Sequence, residues 1–182
     1  FGVNGNKAYE LLKECPYNIK KLEALRKISD QDFTFEGYKE NLLLKDRCSI
    51  AFLGSIERPE SEEILHKISR DFSGREEFTI NVVSHPSCDL SKICNDNSLK
   101  YGVKLLPSSD FNKTLLRSTF AIVGSSTSSV DALKLGCEVI IPILPDKINL
   151  NPVLEDEDFF KLCPYQKSLF KLVKEIQTLD RD

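Results

Sequence analysis

Methionine and tryptophan are both absent from the 182 residues, and histidine occurs only twice. The missing methionine extends to position 1, so the chain reads as a fragment or a processed piece of a longer protein. The two histidines, His66 and His85, share no metal-ligand spacing, and no metal or other cofactor is expected. None of the cysteines Cys15, Cys48, Cys88, Cys94, Cys137 and Cys163 forms a CxxC pair. They read as reduced, structural thiols in a cytosolic compartment. No apolar run approaches the roughly 18 residues of a membrane span. The first ten residues lack the basic start and apolar stretch of a signal peptide. Neither sign of charge dominates: 25 Lys and Arg stand against 28 Asp and Glu, for a net charge of -3. That balance argues against a nucleic-acid partner, which would call for a basic stripe. GxxxxGK[ST] and GxGxxG are both missing, which disfavours a P-loop NTPase and a nicotinamide dehydrogenase. GxSxG is missing too, and with it the nucleophile elbow of a serine hydrolase.

What is present is a globular composition, 41% hydrophobic and 29% charged. The length suits one compact α/β domain with an appended segment. Residues 1–45 form that segment. Leu11, Leu12, Ile19, Leu22, Leu25 and Ile28 recur at spacings of three and four, which predicts two short helices broken near Cys15-Pro16. The stretch reads as a helical connector or the edge of a neighbouring domain. Residues 46–182 form the main domain. Apolar runs at Ser49–Leu53, Phe78–Val83, Val103–Leu106, Thr119–Val123 and Glu138–Ile141 read as strands. Helical patterns separate them: Ser61–Phe72 with Ser61 as N-cap, a helix through Phe111, Leu115 and Leu116, and Val130–Leu135 ended by Gly136. A last amphipathic helix spans Gln166–Leu179, and the acidic cluster Glu155–Asp158 reads as a solvated helix start. Strands and helices alternating in this way predict an α/β fold with a doubly wound parallel sheet, its strands buried on both faces.

Ligands of such sheets bind at the carboxyl ends of the strands. Three polar features fall there: Gly54-Ser55, His85-Pro86, and Gly124-Ser125-Ser126-Thr127-Ser128-Ser129. The last places hydroxyls and backbone N–H groups just before a helix, a ready anion site or simply a rich N-cap. His85 at a strand end is either a structural histidine or a donor to a phosphate, and Pro86 forces the chain to turn beside it. Asp131 could accept hydrogen bonds from ribose hydroxyls or simply favour the helix dipole.

Taken in order, His85-Pro86, Ser125–Ser129, Asp131–Gly136 and Val139–Pro142 resemble the donor-binding lobe of GT-B glycosyltransferases. An HP motif followed by an SS motif is similar to bacterial sialyl- and polysialyltransferases. Capsule Kdo transferases and CDP-glycerol polymerases share the layout. The resemblance covers about Cys48–Leu179 and implies a Rossmann-like lobe. It implies that His85 and the Ser/Thr loop hold the donor phosphate, that Asp131 contacts the ribose, and that His85 takes part in catalysis. It implies a nucleotide-sugar donor, a CMP-sugar being the donor type of the sialyltransferases, and a glycan acceptor. The D/E-D-G motif that carries the base in sialyltransferases of this type does not occur here. The expectation is therefore the carboxyl-terminal lobe alone, able to bind a donor but not to turn it over without its amino-terminal lobe. The final helix matches the GT-B habit of packing back across the lobes. Cytoplasmic localisation follows from the absences above, with peripheral association at the inner membrane face where the missing lobe or a partner supplies it. Two other readings stand beside this one: a non-catalytic Rossmann-like binding or scaffolding module, and a GT-B hydrolase or epimerase acting on UDP-sugars.

Overall fold

The computed structural model describes residues 2–4, 10, 13–14, 20–22, 45–95, 99, 102–155 and 160–179. The chain divides into two compact units, Phe1–Phe35 and Glu36–Asp182. The division falls ahead of the boundary expected after residue 45.

In the first unit β1 (Gly2–Asn4) pairs in parallel with β2 (Lys20–Leu22). Leu22 therefore lies in a strand where the spacing predicts helix. Three residues are too few for a period of 3.6 to be told from an extended run, and strand pairing decides the outcome. Leu11, Leu12, Ile19, Leu25 and Ile28 lie outside the described residues.

The second unit is built on one six-stranded sheet with the order β5-β4-β3-β6-β7-β8. Its strands are β3 (Asp46–Leu53), β4 (Thr79–Val83), β5 (Lys104–Leu106), β6 (Ser118–Val123), β7 (Glu138–Pro142) and β8 (Phe160–Cys163). Every neighbouring pair is parallel. The chain starts in the middle, winds outward through β4 and β5, then crosses to β6 and winds the other way. This is the doubly wound, Rossmann-like arrangement.

The helices are α1 (Arg58–Asp71), α2 (Ser91–Cys94), α3 (Phe111–Arg117), α4 (Ser128–Lys134) and α5 (Leu169–Leu179). Alternation along the strands sends side chains to two cores. Ile50, Phe52, Ile80, Val82, Phe120 and Ile122 point to one face and pack with Ile64, Leu65 and Ile68 of α1 and Leu172, Val173 and Ile176 of α5. Ala51, Leu53, Val83, Ala121, Val123 and Val139 point to the other, with Leu115 of α3 and Ala132 of α4. Each large aliphatic side chain so buried contributes about 1.5–3 kcal/mol.

Several elements differ from expectation, among them the start of the last helix, at Leu169 where Gln166 was expected. Helix α1 starts at Arg58, with Glu57 as N-cap and a proline in its first turn, a position where the missing N–H costs nothing. Ser61 is thus inside the helix and buried, not its cap. Strand β8 was not expected. It is four residues long at the sheet edge, only Phe160 and Cys163 are buried, and Pro164 closes it, so no periodic signal marks it. The acidic cluster begins within a 3-10 turn at Pro152–Glu155, and its remaining residues lie outside the described ones.

Gly136 ends α4 as expected. Its φ is 74°, its N–H donates to Leu133, and the N–H of Cys137 donates to Ala132. That is the paired bonding of a Schellman turn, where a Cβ would be strained.

A buried polar staple ties α5 to α1. Lys67, buried within α1, donates from Nζ to the carbonyls of Tyr165 (2.9 Å) and Lys167 (2.6 Å) and pairs with Asp71 at 3.2 Å. Asp71 accepts the Leu169 N–H at 2.8 Å, at the start of α5. Phe72, Phe78 and Phe170 meet edge to face beside it, with centroids 5.3–6.0 Å apart. Among the described residues the five cysteines carry free thiols. Among the described residues no helix is long and apolar enough to cross a membrane.

Lys67→Ala strips a buried cation from Asp71 and from two carbonyls. It is expected to lower the unfolding free energy by about 3 kcal/mol in urea titration. Lys171→Ala, on the exposed face of α5, is expected to change it by no more than about 0.5 kcal/mol.

Candidate functional site

The connections leave β3 and β6 in opposite directions, so a crevice opens at the carboxyl ends of these two neighbours. Gly54-Ser55 follows β3, Gly124-Ser125 follows β6, and Ser84-His85-Pro86 follows β4. The local sequence explains how closely these turns approach. The Gly54 N–H donates to the Val83 carbonyl at 2.9 Å. A Cβ on Gly54 would lie 3.3 Å from the His85 nitrogen and 3.0 Å from Leu90 Cδ1.

His85 is half-buried. Its Nδ1 accepts the Ser87 N–H at 3.1 Å, and its carbonyl accepts the Cys88 N–H at 2.9 Å. With Nδ1 an acceptor, the proton of the neutral ring sits on Nε2, which is then a donor. The ring borders a cleft of about 350 Å³ lined by Ser84, His85, Pro86, Asp89, Pro107 and Ser108 among others. Asp89 is held by Ser91, whose backbone N–H and hydroxyl bond its carboxylate and draw its pKa below the usual value.

The first turn of α1 binds both flanking loops. Arg58 Nη2 donates to the Asp89 carbonyl at 2.7 Å, which holds the loop that carries His85. Glu60 reaches the other way. Its two carboxylate oxygens accept the Ser125 N–H at 3.0 and 3.1 Å, and Oε1 accepts the Ser125 hydroxyl at 2.8 Å. Glu60 is only 5% exposed. A Cβ on Gly124 would stand 2.7 Å from this carboxylate, so glycine is what lets the two elements close.

The serine loop is largely bonded to itself and to its neighbours. Ser126 and Ser128 share a hydroxyl contact of 2.8 Å, and the Ser128 N–H donates to Ser126 Oγ at 3.3 Å. Ser129 is fully buried and donates to Asn151 Oδ1 at 2.8 Å, while Asn151 Nδ2 donates to the Gly124 carbonyl at 2.7 Å. Ser55 is buried as well. Its hydroxyl donates to the Glu57 carbonyl and its N–H to Ser61 Oγ.

The expected site residues therefore separate into two groups. Gly54, Ser55, Gly124, Ser125 and Ser129 lie at or just beyond the carboxyl ends of β3 and β6, none of them lines the cleft beside His85, and the hydroxyls of Ser55, Ser125 and Ser129 are committed inside the protein. His85, Pro86, Ser126, Thr127 and Ser128 remain half-buried or exposed. Asp131 is half-buried in the first turn of α4. Three residues that organise the site were missed: Arg58, Glu60 and Asn151. The proline after Arg58 marks the true start of α1 and would have put Glu60 in its first turn. The Asn151-Pro152 pair is a turn signal that went unused. Among the described residues no cluster of His, Cys, Asp and Glu is suited to a metal ion.

No family model matches the chain, and no curated protein does either. Among solved structures, a point mutant of an O-GlcNAc transferase from Thermobaculum terrenum is similar, with a TM-score of 0.47 and 12% identity. The match covers 76% of this chain and 29% of that one, so this chain spans less than a third of the length of its neighbour.

Gly124→Ala is expected to push the Glu60 carboxylate off Ser125 and destabilise the protein by about 1–3 kcal/mol in thermal or urea unfolding. Gly102→Ala, which meets nothing within 4 Å, serves as the control and is expected to be near neutral.

Proposed function

We propose that the second unit is the donor-binding lobe of a glycosyltransferase that moves a sugar from a nucleotide-activated donor, of the CMP-sugar type, to a surface glycan acceptor. One observation carries this reading most directly. At the carboxyl edge of the sheet, His85 is held by Ser87 so that its Nε2–H is the donating side of the ring. In this reading a phosphate accepts this hydrogen bond and also meets Ser126, Thr127 and Ser128 from the loop after β6, which lies on the other side of the β3 turn. The ribose would extend toward Asp131.

In this reading the reaction is a direct displacement at the anomeric carbon. The acceptor hydroxyl attacks, and a base from a partner lobe takes its proton. The sugar–phosphate bond breaks, and the phosphate leaves with its new charge. His85 and the hydroxyl loop contribute where that charge develops, through a charge-assisted hydrogen bond that strengthens as the bond breaks. The chain's own share of the work is binding and leaving-group stabilisation, and the amino-terminal lobe, the acceptor and any contact with a membrane surface belong to the same proposal. CDP-glycerol is the related non-sugar donor.

A second reading, a non-catalytic binding or scaffolding module, is favoured by one specific observation. The Ser125 and Ser129 hydroxyls are already bonded to Glu60 and Asn151, which makes the loop a structural clasp.

Calorimetric titration with CMP, CDP, UDP and ADP separates the two. The donor-site reading expects a cytidine nucleotide to bind, and His85→Ala and Ser126→Ala each to weaken it by roughly ten- to a hundredfold. A UDP preference would keep the fold and move the donor class. Absence of binding by all four nucleotides would overturn the reading in favour of the scaffold.

A further inference from the structure

We propose that Glu60 sets the number of phosphates the donor carries: its carboxylate fills the anion position at Ser125, so the crevice takes a donor linked through one phosphate and disfavours a pyrophosphate. The inference rests on the donor-site reading above and adds a specificity-determining residue to it.

The backbone N–H after β6, at the switch point, and the hydroxyl beside it are the groups an anion would use. Both are occupied from within. The two oxygens of Glu60 take the Ser125 N–H at 3.0 and 3.1 Å, and one takes the Ser125 O–H at 2.8 Å. The one hydroxyl hydrogen of Ser125 is spent on Glu60, and its oxygen also accepts the Leu150 N–H at 3.2 Å. Gly124 packs its bare Cα against the carboxylate, which leaves no room for a second anion between them. Among the described residues no cation forms an ion pair with Glu60. Its charge is met by N–H and O–H groups and by the start of its own helix.

A resident anion met only in this way repels another. A donor joined through a single phosphate can place that group against His85, Ser126 and Thr127. A pyrophosphate brings a second phosphate along the same edge, where the Ser125 N–H and O–H are spent and the Glu60 carboxylate carries charge of the same sign. Discrimination then comes from an unfavourable contact against the wrong donor and needs no added contact to the right one.

The test is calorimetry on the whole chain with CMP and CDP as probes, for the wild type and for Glu60→Gln. Gln keeps the shape and one acceptor oxygen for Ser125 but removes the charge. The wild type is expected to bind CMP at least as tightly as CDP. Glu60→Gln is expected to raise CDP affinity roughly tenfold while changing CMP affinity far less. Tighter binding of CDP than CMP by the wild type overturns the inference without any variant, and so does an equal shift of both nucleotides in Glu60→Gln. In either case nucleotide binding survives and the donor-site reading stands. If neither nucleotide binds either protein, the donor-site reading fails and the inference falls with it.

Discussion

The contact between Glu60 and Ser125 joins the first turn of α1 to the end of β6, across the point where the sheet reverses its winding. Two residues earlier, Arg58 ties the same turn to the loop after β4. One helix start thus fixes the spacing of the His85 loop and the serine loop. A buried carboxylate with several N–H and O–H partners keeps one geometry, because losing any of them leaves charge unsatisfied in a poorly solvated place. Gly54 and Gly124 make that geometry reachable, since each removes a Cβ where two backbones or a backbone and a carboxylate come within about van der Waals distance.

The rest of the second unit supports this turn from behind. Helix α1 is pressed onto the sheet by Ile64, Leu65 and Ile68, and its far end is clasped to the segment before α5 by Lys67 and Asp71. The two ends of α1 do different work with the same kind of chemistry. At the amino end a carboxylate is satisfied by a neighbouring loop. At the carboxyl end an ammonium group is satisfied by two carbonyls and a carboxylate. Both are buried polar contacts whose geometry is directional, which places the helix in register where apolar packing alone would let it slide.

The parallel sheet was legible in the sequence because its strands are buried on both faces. Runs such as Ile50–Leu53 and Phe120–Val123 have little else to become, and the glycine after α4 marks a stop that only a left-handed residue satisfies without strain. The candidate loops were legible for a related reason: in a doubly wound sheet the polar residues after each strand must fall at one edge. Strand β8 was not legible, since an edge strand of four residues with two exposed positions carries no period. Nor was β2, where a three-residue pairing replaced an expected helix.

The sequence by itself determined the fold class, the alternation of elements and which loops share the carboxyl edge, because burial and chain periodicity are local properties of composition. Only the tertiary structure decided which hydroxyls are tied to distant segments and which bond only within their own loop. Ser55, Ser125 and Ser129 look equivalent to Ser126, Thr127 and Ser128 in a string of letters. They differ because Glu60, Asn151 and Ser61 arrive from 6 to 65 residues away to bond them. A hydrogen bond between distant segments leaves no periodic trace in the chain, and its partners are chosen by the packing that brings them together.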